Sequence, residues 1–235
     1  MNSISANRLR GAVTCIAAEI ETRVSSGQKA TIVDDKELWR ELTCCVLSSQ
    51  VPYEMAKAAA ERIDEAGILG QSEPPERAIL KEQLVRQLLA PLPFDSAVRR
   101  YRFPYSRAGQ IAAAFFVVRE AHGSLAGFLH HQNDVRFARA WLATHVPGVG
   151  PKQASMFLRN AAGSFDLAIL DRHVLHYMKT IDLWPETDLD VATISKYERC
   201  EARLREYADA LGHPVGLLDW AIWIVMRTAS TISSK

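Results

Sequence analysis

The residues in this chain best suited to chemistry lie around a short glycine-rich turn. The run Val146-Pro147-Gly148-Val149-Gly150-Pro151-Lys152 places two glycines around one apolar residue, and Asp171 follows nineteen residues after Lys152. Glycine has no side chain, so the backbone can turn sharply there and approach a ligand closely. The N–H groups of such a turn, together with those of a following helix N-terminus, form a site for an anion. The run therefore predicts a turn that binds a nucleic-acid phosphate and carries an amine beside it.

Both flanks of this turn have the sequence pattern of a helix. Upstream, Asp134 is expected to cap a helix that runs to His145, with apolar residues at helical spacing at Phe137, Trp141 and Leu142. Downstream, Pro151 suits the first helical position, where its missing N–H costs nothing, and Gly163 suits the end. The apolar face of this second helix is formed by Ala154, Phe157, Leu158 and Ala161. The sequence thus predicts a helix-hairpin-helix unit over residues 134–163.

Lys152 has two interpretations at this place. In the first it is a surface lysine in the first turn of a helix and contributes only a phosphate contact. In the second, the positive end of the helix dipole and partial burial in a cleft disfavour the ammonium form. A neutral lysine amine can attack a sugar carbon and form a Schiff base.

Asp171 also has two interpretations, and they are compatible. It ends the apolar run at residues 167–170 and precedes a helical pattern, so it is expected to be an N-cap. Breaking a glycosidic bond passes through an oxocarbenium-like sugar, which a nearby ionised carboxylate stabilises. A capping aspartate stays ionised and could therefore serve both purposes.

Composition and charge restrict the class of protein. The 28 lysines and arginines nearly balance the 27 aspartates and glutamates, leaving a net charge of +1. Any affinity for nucleic acid must therefore come from local patches. No apolar run reaches membrane-spanning length, and acidic residues from Glu19 onward argue against a signal or transit peptide. We expect a cytoplasmic protein that does not associate with a membrane and, in a prokaryote, associates with the nucleoid.

The cysteines do not indicate a metal site. The four cysteines, Cys15, Cys44, Cys45 and Cys200, show no C-x-x-C spacing, which zinc sites and iron–sulfur clusters commonly use. Cys44 and Cys45 lie in an apolar stretch and are expected to be buried free thiols. We expect neither a metal nor a cofactor.

The hydrophobic pattern predicts a nearly all-helical protein. Nothing alternates convincingly at period two, and there is no internal repeat. Asp34 or Asp35 is expected to cap the second helix, Pro52 opens the third, Pro91-Leu92-Pro93 breaks the chain, and Thr187–Ala192 is a loop or a weak helix start. In the fourth helix Ile79, Leu84 and Leu88 are expected to face inward. The predicted helices span about 7–24, 35–47, 52–63, 76–89, 106–122, 125–131, 134–145, 151–162, 172–178, 194–211 and 215–228.

Three features taken together resemble the helix-hairpin-helix DNA glycosylase superfamily, which also includes endonuclease III. They are the hairpin, its spacing to Asp171, and the motif Leu47-Ser48-Ser49-Gln50. Further segments make the chain similar to the 8-oxoguanine DNA glycosylase/lyase branch found in archaea and some bacteria. They are Arg102-Phe103, Arg107-Ala108, Ala154-Ser155-Met156-Phe157-Leu158-Arg159-Asn160, Ala168-Ile169-Leu170-Asp171-Arg172-His173, and Leu218-Asp219 with Trp223. The resemblance covers roughly residues 38–228.

The resemblance implies a single unit of two helical lobes with the active cleft between them. Residues 38–163 would form one lobe, and residues 1–37 together with 164–235 the other. By motif position, Lys152 would be the Schiff-base nucleophile and Asp171 the essential carboxylate. The backbone of Gly148, Val149 and Gly150 would bind a phosphate. Gln50 would fill the gap left by an extruded base, or it is simply a polar residue at a helix end.

The resemblance also implies a base pocket. Trp223 would stack on the base and Asp219, one turn earlier on the last helix, would read its polar groups, although a core position for Trp223 is the alternative. Phe103 would have a structural or pocket role within the basic and aromatic stretch Arg99–Arg107, and His173 a packing role near the site. Relatives often end in a Thr-Gly-containing tail finishing in lysine; here the tail to Lys235 has no glycine.

The predicted function is that of a bifunctional DNA glycosylase with apurinic/apyrimidinic lyase activity on 8-oxoguanine. Its partner would be double-stranded DNA with a damaged base, and the protein would be a monomer. Two alternatives stay open. One is the same enzyme class acting on another damaged or modified base. The other is a helix-hairpin-helix module that binds DNA without catalysis, which would need the glycines but not the carboxylate.

Overall fold

The computed structural model describes residues 6–26, 31–71, 73–94, 97–184 and 191–233. These residues form eleven helices and one small sheet, which confirms the all-α prediction. Most of the predicted loop at 187–192 and the end of the tail at 234–235 lie outside the described residues. The helices are α1 (Ala6–Ser26), α2 (Asp35–Leu47), α3 (Tyr53–Glu65), α4 (Arg77–Leu89), α5 (Pro104–His122), α6 (Leu125–His130), α7 (Val135–His145), α8 (Pro151–Ala162), α9 (Arg172–Thr180), α10 (Ile194–Ala210) and α11 (Val215–Ser233).

The chain divides into two compact units. The central unit comprises Thr31–Ala162, and the terminal unit comprises Met1–Ala30 together with Gly163–Lys235. The central unit holds α2 to α8 and the sheet, while α1 and α9 to α11 belong to the terminal unit.

The core of the central unit is built around α2. Asp34 caps this helix as predicted, because its side chain accepts from the N–H of Lys36. Nearly every residue from Leu38 to Leu47 is buried, since α3, α5, α6 and α8 all pack on this helix. The ring of Trp39 lies 5.0 Å from that of Phe115 in α5. A helix covered on most sides in this way has its ends fixed by the surrounding packing.

The core of the terminal unit lies between α1, α9, α10 and α11. Helix α11 packs along α1 and against α9, and the buried aromatic residues include Tyr177 and Tyr197. Two polar contacts tie α1 to distant parts of the unit. Arg10 donates to the Ile181 carbonyl at 3.0 Å, and Glu21 lies 2.8 Å from Nδ1 of His213.

Two sequence expectations about buried faces were wrong. Ile79 in α4 is 47% exposed, whereas Leu80 is buried with Leu84 and Leu88. These three leucines follow the i, i+4, i+8 spacing of one helix face, and Ile79 lies about 100° away from it. Phe137 in α7 is 74% exposed, because the face that packs contains Ala138, Arg139 and Leu142.

The sequence pattern also missed a short β-hairpin. Strands β1 (Leu92–Phe94) and β2 (Ala97–Arg99) pair antiparallel with Leu92 opposite Arg99 and Phe94 opposite Ala97. Three-residue strands are too short to show an alternating pattern, and the prolines at 91 and 93 indicated only a break. Arg62 in α3 fixes the entry to this hairpin by donating to the carbonyls of Ala90 and Pro91, at 2.8 and 2.7 Å.

Cys44 and Cys45 are buried free thiols, as predicted, and Cys200 is buried as well. Burial and the nearby carboxylate of Glu41 raise the pKa of Cys44 to about 12. A thiol with so high a pKa stays protonated near neutral pH and is a poor nucleophile. No described helix has the length and apolar character that crossing a bilayer requires.

A glycine in the terminal unit provides a test of its packing. Gly216, the second residue of α11, donates to the Phe165 carbonyl at 2.9 Å, and a Cβ added there would meet the carbonyl oxygens of Phe165 and Leu167 at 2.8 Å. Because these are backbone atoms, Gly216→Ala is expected to destabilise the protein by about 1–3 kcal/mol, measured by chemical denaturation.

The matched control is Gly11→Ala in the second turn of α1, where an added Cβ meets nothing within 4 Å. This exposed helical position is expected to gain about 0.5–1 kcal/mol from the same substitution. Equal effects at the two positions would contradict the described packing of α11 on residues 165–167.

Candidate functional site

The glycine hairpin between α7 and α8 is a tight turn closed by its own backbone. The N–H of Val149 donates to the Val146 carbonyl at 3.1 Å, and Gly148 has a φ of 84°. Proline at the second position and a glycine with positive φ at the third form the pattern of a type II turn. The chain enters α8 immediately afterwards at Pro151, the predicted first helical residue.

Gly148 is required for a second reason besides its φ. A Cβ at this position would lie 2.9 Å from the Cβ of Gln110 and 3.0 Å from its Oε1. The side chain of Gln110 in α5 therefore packs directly against the turn at Gly148. The hairpin consequently has little freedom to change shape, and its backbone geometry is set before any ligand arrives.

Lys152 lies in the first turn of α8 and is partly exposed. Two contacts between α8 and α2 define its surroundings. Asn160, near the end of α8, donates to Glu41 Oε1 at 2.7 Å. Lys152, two turns earlier in α8, interacts electrostatically with Cys45, one turn later in α2. The helices therefore run antiparallel, and the C-terminal end of α2 lies beside the N-terminal end of α8.

Two groups at this place could act as a nucleophile, the Cys45 thiol and the Lys152 amine, and their surroundings differ. The pKa of Cys45 is raised well above its usual value by burial first and by Glu41 second, with Lys152 opposing them. Its thiol also lies 3.5 Å from Glu41 Oε1 and donates to it. Cys45 is therefore a protonated, buried neighbour, and the lysine amine is the more accessible nucleophile of the two.

The backbone after α2, which contains Gln50, is held by one residue before α5 and one in its first turn. The Tyr101 hydroxyl donates to the Leu47 carbonyl at 2.7 Å, and Arg107 donates to the Ser49 carbonyl at 3.3 Å. Gln50 itself is exposed and has a φ of 61°, a left-handed conformation that is uncommon for glutamine. The hydrogen bonds to Leu47 and Ser49 thus hold Gln50 in a strained backbone conformation, and its side chain is exposed to solvent.

Arg107 connects this exit to the hairpin. Besides its contact with Ser49, it donates to Gln110 Oε1 at 2.6 Å, and Gln110 is the residue on which Gly148 packs. Phe103, which lies at the start of α5, has the Arg102 and Arg107 guanidinium carbons 5.0 and 5.9 Å from its ring centre. The central unit therefore brings Gln50, Phe103 and the hairpin together around one arginine.

Sequence reasoning missed Gln110 as part of this site. It contributes no recognisable motif, and its only signal is the i, i+3 spacing to Arg107 on α5, which places both side chains on one helix face. That spacing is common in helices and does not by itself indicate a function.

Asp171 in the terminal unit is the N-cap of α9, as the sequence predicted. Its Oδ1 accepts from the N–H groups of His173 and Val174 at 2.8 and 2.9 Å. Among the described residues nothing donates to Oδ2. One carboxylate oxygen therefore caps the helix, and the other is available to a ligand.

His173 lies directly beside this carboxylate. Burial lowers its pKa, an effect that Asp171 opposes and that Arg172, Arg227 and His176 reinforce. A lowered pKa means that the imidazole is neutral near pH 7, so it leaves the charge of Asp171 unneutralised. The positive side chains around it belong to α9 and α11.

Trp223 and Asp219 differ in their surroundings although they are one turn apart on α11. Trp223 is partly exposed, lies outside the hydrophobic cluster of this unit, and has the Arg227 guanidinium 4.8 Å from its ring centre. Asp219 is only 1% exposed, and its Oδ2 accepts from the N–H of Ile169 at 2.5 Å. Burial of this carboxylate favours a structural role over the direct base contact that the sequence suggested.

The described residues contain no group of three or more His, Cys, Asp or Glu side chains arranged to bind a metal ion. The groups that could act on a ligand are the Lys152 amine and the hairpin in the central unit, and the Asp171 carboxylate and the partly exposed ring of Trp223 in the terminal unit.

Comparison with known proteins places these features in a family. A family model described as 8-oxoguanine DNA glycosylase matches residues 20–213. The curated 8-oxoguanine DNA glycosylase/AP lyase of Saccharolobus islandicus (strain L.S.2.15 / Lassen #1) is 30% identical over 212 residues, which is 88% of this chain and 91% of that protein. The protein of the same name from Sulfurisphaera tokodaii is 31% identical over 202 residues, 84% of this chain and 85% of its own.

Solved structures agree with this assignment. The 8-oxoguanine DNA glycosylase of Thermotoga maritima superimposes with a TM-score of 0.67 at 28% identity, covering 93% of this chain and 95% of that one. The Methanocaldococcus jannaschii enzyme shares the fold with a TM-score of 0.69 at 23% identity, covering 92% and 91% of the two chains. With a family model that spans most of its length and relatives at 30% identity over nearly all of it, the chain belongs to the 8-oxoguanine DNA glycosylase family.

Proposed function

We propose that this protein excises 8-oxoguanine from double-stranded DNA and then cleaves the strand at the resulting abasic site. The observation that carries this proposal is Lys152, a partly exposed amine in the first turn of the helix that follows the glycine hairpin. A protein that only bound DNA would need the hairpin, but it would need neither this lysine nor the uncommitted oxygen of Asp171. The names of the relatives support the same activity.

The first step is binding to the DNA backbone. The hairpin from Gly148 to Gly150 and the start of α8 would present N–H groups to a phosphate, and the helix dipole favours an anion there. A base inside a duplex cannot be attacked in place, so its nucleotide must be turned out of the stack. The exposed side chain of Gln50 would occupy the gap, which is consistent with its imposed left-handed backbone.

The second step breaks the glycosidic bond. The amine of Lys152 would attack the anomeric carbon as the bond to the purine nitrogen breaks and the base leaves with one proton from the amine. The bond between the former anomeric carbon and the ring oxygen then breaks, the proton on nitrogen passes to that oxygen, and an imine to Lys152 remains. Removing a proton from the neighbouring carbon lets the 3′ phosphate leave by elimination, and hydrolysis of the imine frees the lysine.

Asp171 would stabilise the positive charge that develops on the sugar during this step. An oxocarbenium-like transition state needs an anion beside it, and Oδ2 is the carboxylate oxygen left over by the helix cap. The neighbouring His173 would stay neutral and would not compete for this charge.

The base itself would be recognised by aromatic groups. The partly exposed Trp223 is the proposed stacking partner, and Phe103, flanked by two arginines, is the second candidate. We propose that the protein acts as a monomer on genomic DNA in the cytoplasm. Its near-zero net charge leaves the local arginines at 99–107 to contact phosphates.

Lys152→Gln is expected to abolish covalent trapping. The wild-type protein incubated with a duplex that contains one 8-oxoguanine and reduced with borohydride should form a stable protein–DNA adduct. Glutamine cannot form an imine, so the variant should form none. Lys57→Gln, which alters an exposed lysine on α3, should trap like the wild type.

Each alternative has its own result in this assay. An adduct that persists in Lys152→Gln would show that another residue is the nucleophile. Adducts with a different lesion but not with 8-oxoguanine would change the substrate and retain the enzyme class. Binding to damaged duplex without any adduct across a lesion panel would leave only a DNA-binding module.

Asp171→Asn should separate catalysis from stability. Asparagine caps a helix about as well as aspartate, so the free energy of unfolding should change by less than about 1 kcal/mol. The single-turnover rate of base removal should fall by about 10²-fold or more, because the charge facing the sugar is lost. Excision at the wild-type rate by this variant would remove Asp171 from the mechanism.

Gln50→Gly tests the gap-filling role. Glycine adopts the left-handed conformation without strain, so the variant should fold at least as well as the wild type. Excision from duplex DNA should slow by roughly tenfold, while excision from a single-stranded oligonucleotide, which leaves no gap, should not change. The matched variant Gln50→Asn keeps an amide at a φ that asparagine tolerates. Equal slowing on both substrates would argue against the role.

A further inference from the structure

The segment of residues 168–170, which precedes Asp171, is held by buried side chains. It has no neighbouring strand, because the described part of the terminal unit contains none. Its three consecutive N–H groups instead donate to three side chains that are all buried. Ala168 donates to Glu201 Oε1 at 2.7 Å, Ile169 to Asp219 Oδ2 at 2.5 Å, and Leu170 to the Tyr197 hydroxyl at 2.9 Å.

The order of these bonds matches the geometry of a strand between two helices. Successive N–H groups of an extended chain point in opposite directions. Accordingly, the first and third are bound from α10 and the second from α11. Glu201 and Tyr197 are one turn apart, about 6 Å along the helix, and two extended residues span about 6.6 Å. Side chains four residues apart on α10 can therefore bind alternate residues of the segment.

The segment is also fixed through its carbonyl groups and at its start. The Tyr197 hydroxyl also donates to the Ala168 carbonyl at 2.8 Å, so one hydroxyl binds residues 168 and 170 from the same side of the segment. Arg205, whose Nη2 lies 3.7 Å from Glu201 Oε2, donates to the Asp166 carbonyl. Buried polar groups are costly unless paired, so these side chains hold the backbone strongly and in one register.

From this geometry we infer that Tyr197, Glu201 and Asp219 are positioning residues for the Asp171 carboxylate. Asp171 is the first residue after the bound segment, and its own N–H donates to the Ile169 carbonyl at 2.9 Å. With residues 168–170 fixed on one side and the N-cap bonds to α9 on the other, the free carboxylate oxygen has one location. The inference rests on the proposed function for its effect on catalysis, whereas its effect on the backbone is independent of that function.

Tyr197→Phe tests this inference because it removes one hydroxyl and keeps the ring. The single-turnover excision rate should fall by about tenfold or more, since small displacements of a catalytic group are costly, while DNA affinity should stay within about twofold. In an Asp171→Asn background the same substitution should have no further effect. Additive losses in the two backgrounds would show that Tyr197 does not act through Asp171.

The matched control is Tyr177→Phe. Tyr177 is a buried tyrosine of the same unit, and its hydroxyl lies 3.1 Å from that of Tyr207 and not on the segment. Its variant should lose a similar amount of stability while excising within about twofold of the wild-type rate. If both tyrosine variants lost excision rate equally, the loss in Tyr197→Phe would be explained by general destabilisation of the unit. That result would overturn the inference.

Asp219→Asn distinguishes positioning from base recognition. A positioning residue affects every substrate alike, so the fold-loss should be the same across a lesion panel. A loss confined to one lesion would make Asp219 a base reader instead. Glu201→Gln keeps an oxygen acceptor for Ala168 and should retain more activity than Glu201→Ala.

Amide hydrogen exchange gives a readout that needs no enzymatic activity. In Tyr197→Phe the Leu170 amide should exchange about tenfold faster or more than in Tyr177→Phe, because it has lost its acceptor. Unchanged exchange would overturn the inference even if the wild-type protein formed no adduct with any lesion. If the Leu170 amide exchanges faster in Tyr197→Phe but the wild-type protein has no glycosylase activity, the proposed function is refuted. The inference that buried side chains hold residues 168–170 would then still stand.

Discussion

The candidate site depends on one constraint: backbone groups that no helix satisfies must find hydrogen-bond partners elsewhere. In a mostly helical protein these groups occur where helices begin and end, and the candidate residues of each unit lie at such places. The hairpin closes on itself through Val149 and Val146. The exit of α2 is bound by Tyr101 and Arg107. Residues 168–170 are bound by three buried side chains.

The same constraint explains how the reactive groups are oriented. Lys152 follows a turn in which Gly148 has a φ of 84° and lies against Gln110. Asp171 uses one carboxylate oxygen to cap α9, which leaves the second for chemistry. The helix cap and the proposed catalytic carboxylate are therefore compatible in one residue. Rigid surroundings of this kind hold a reactive group ready before the substrate arrives.

The helices and the chemical motifs were readable from the sequence because both depend on local rules. Spacing of apolar residues, proline at a helix start and aspartate at an N-cap predicted α2, α8 and α9 and their caps. Errors arose where two faces of a helix carry similar residues. Ile79 and Phe137 are apolar but exposed, while the adjacent residues Leu80 and Ala138 are buried. Only contacts with other helices decide which of two such faces is buried. The β-hairpin at 92–99 was too short to leave a pattern.

The sequence by itself determined the all-helical class and the helix-hairpin-helix unit, and it supplied Lys152 and Asp171 as the residues proposed for Schiff-base chemistry. These follow from residue types and short spacings, which local physics and family resemblance both constrain. Only the tertiary structure decided the roles of Gln110, Arg107, Tyr197, Glu201 and Asp219. The contacts on which these roles rest span 27 to 58 residues of sequence, and no local pattern encodes which distant backbone group a buried side chain will bind.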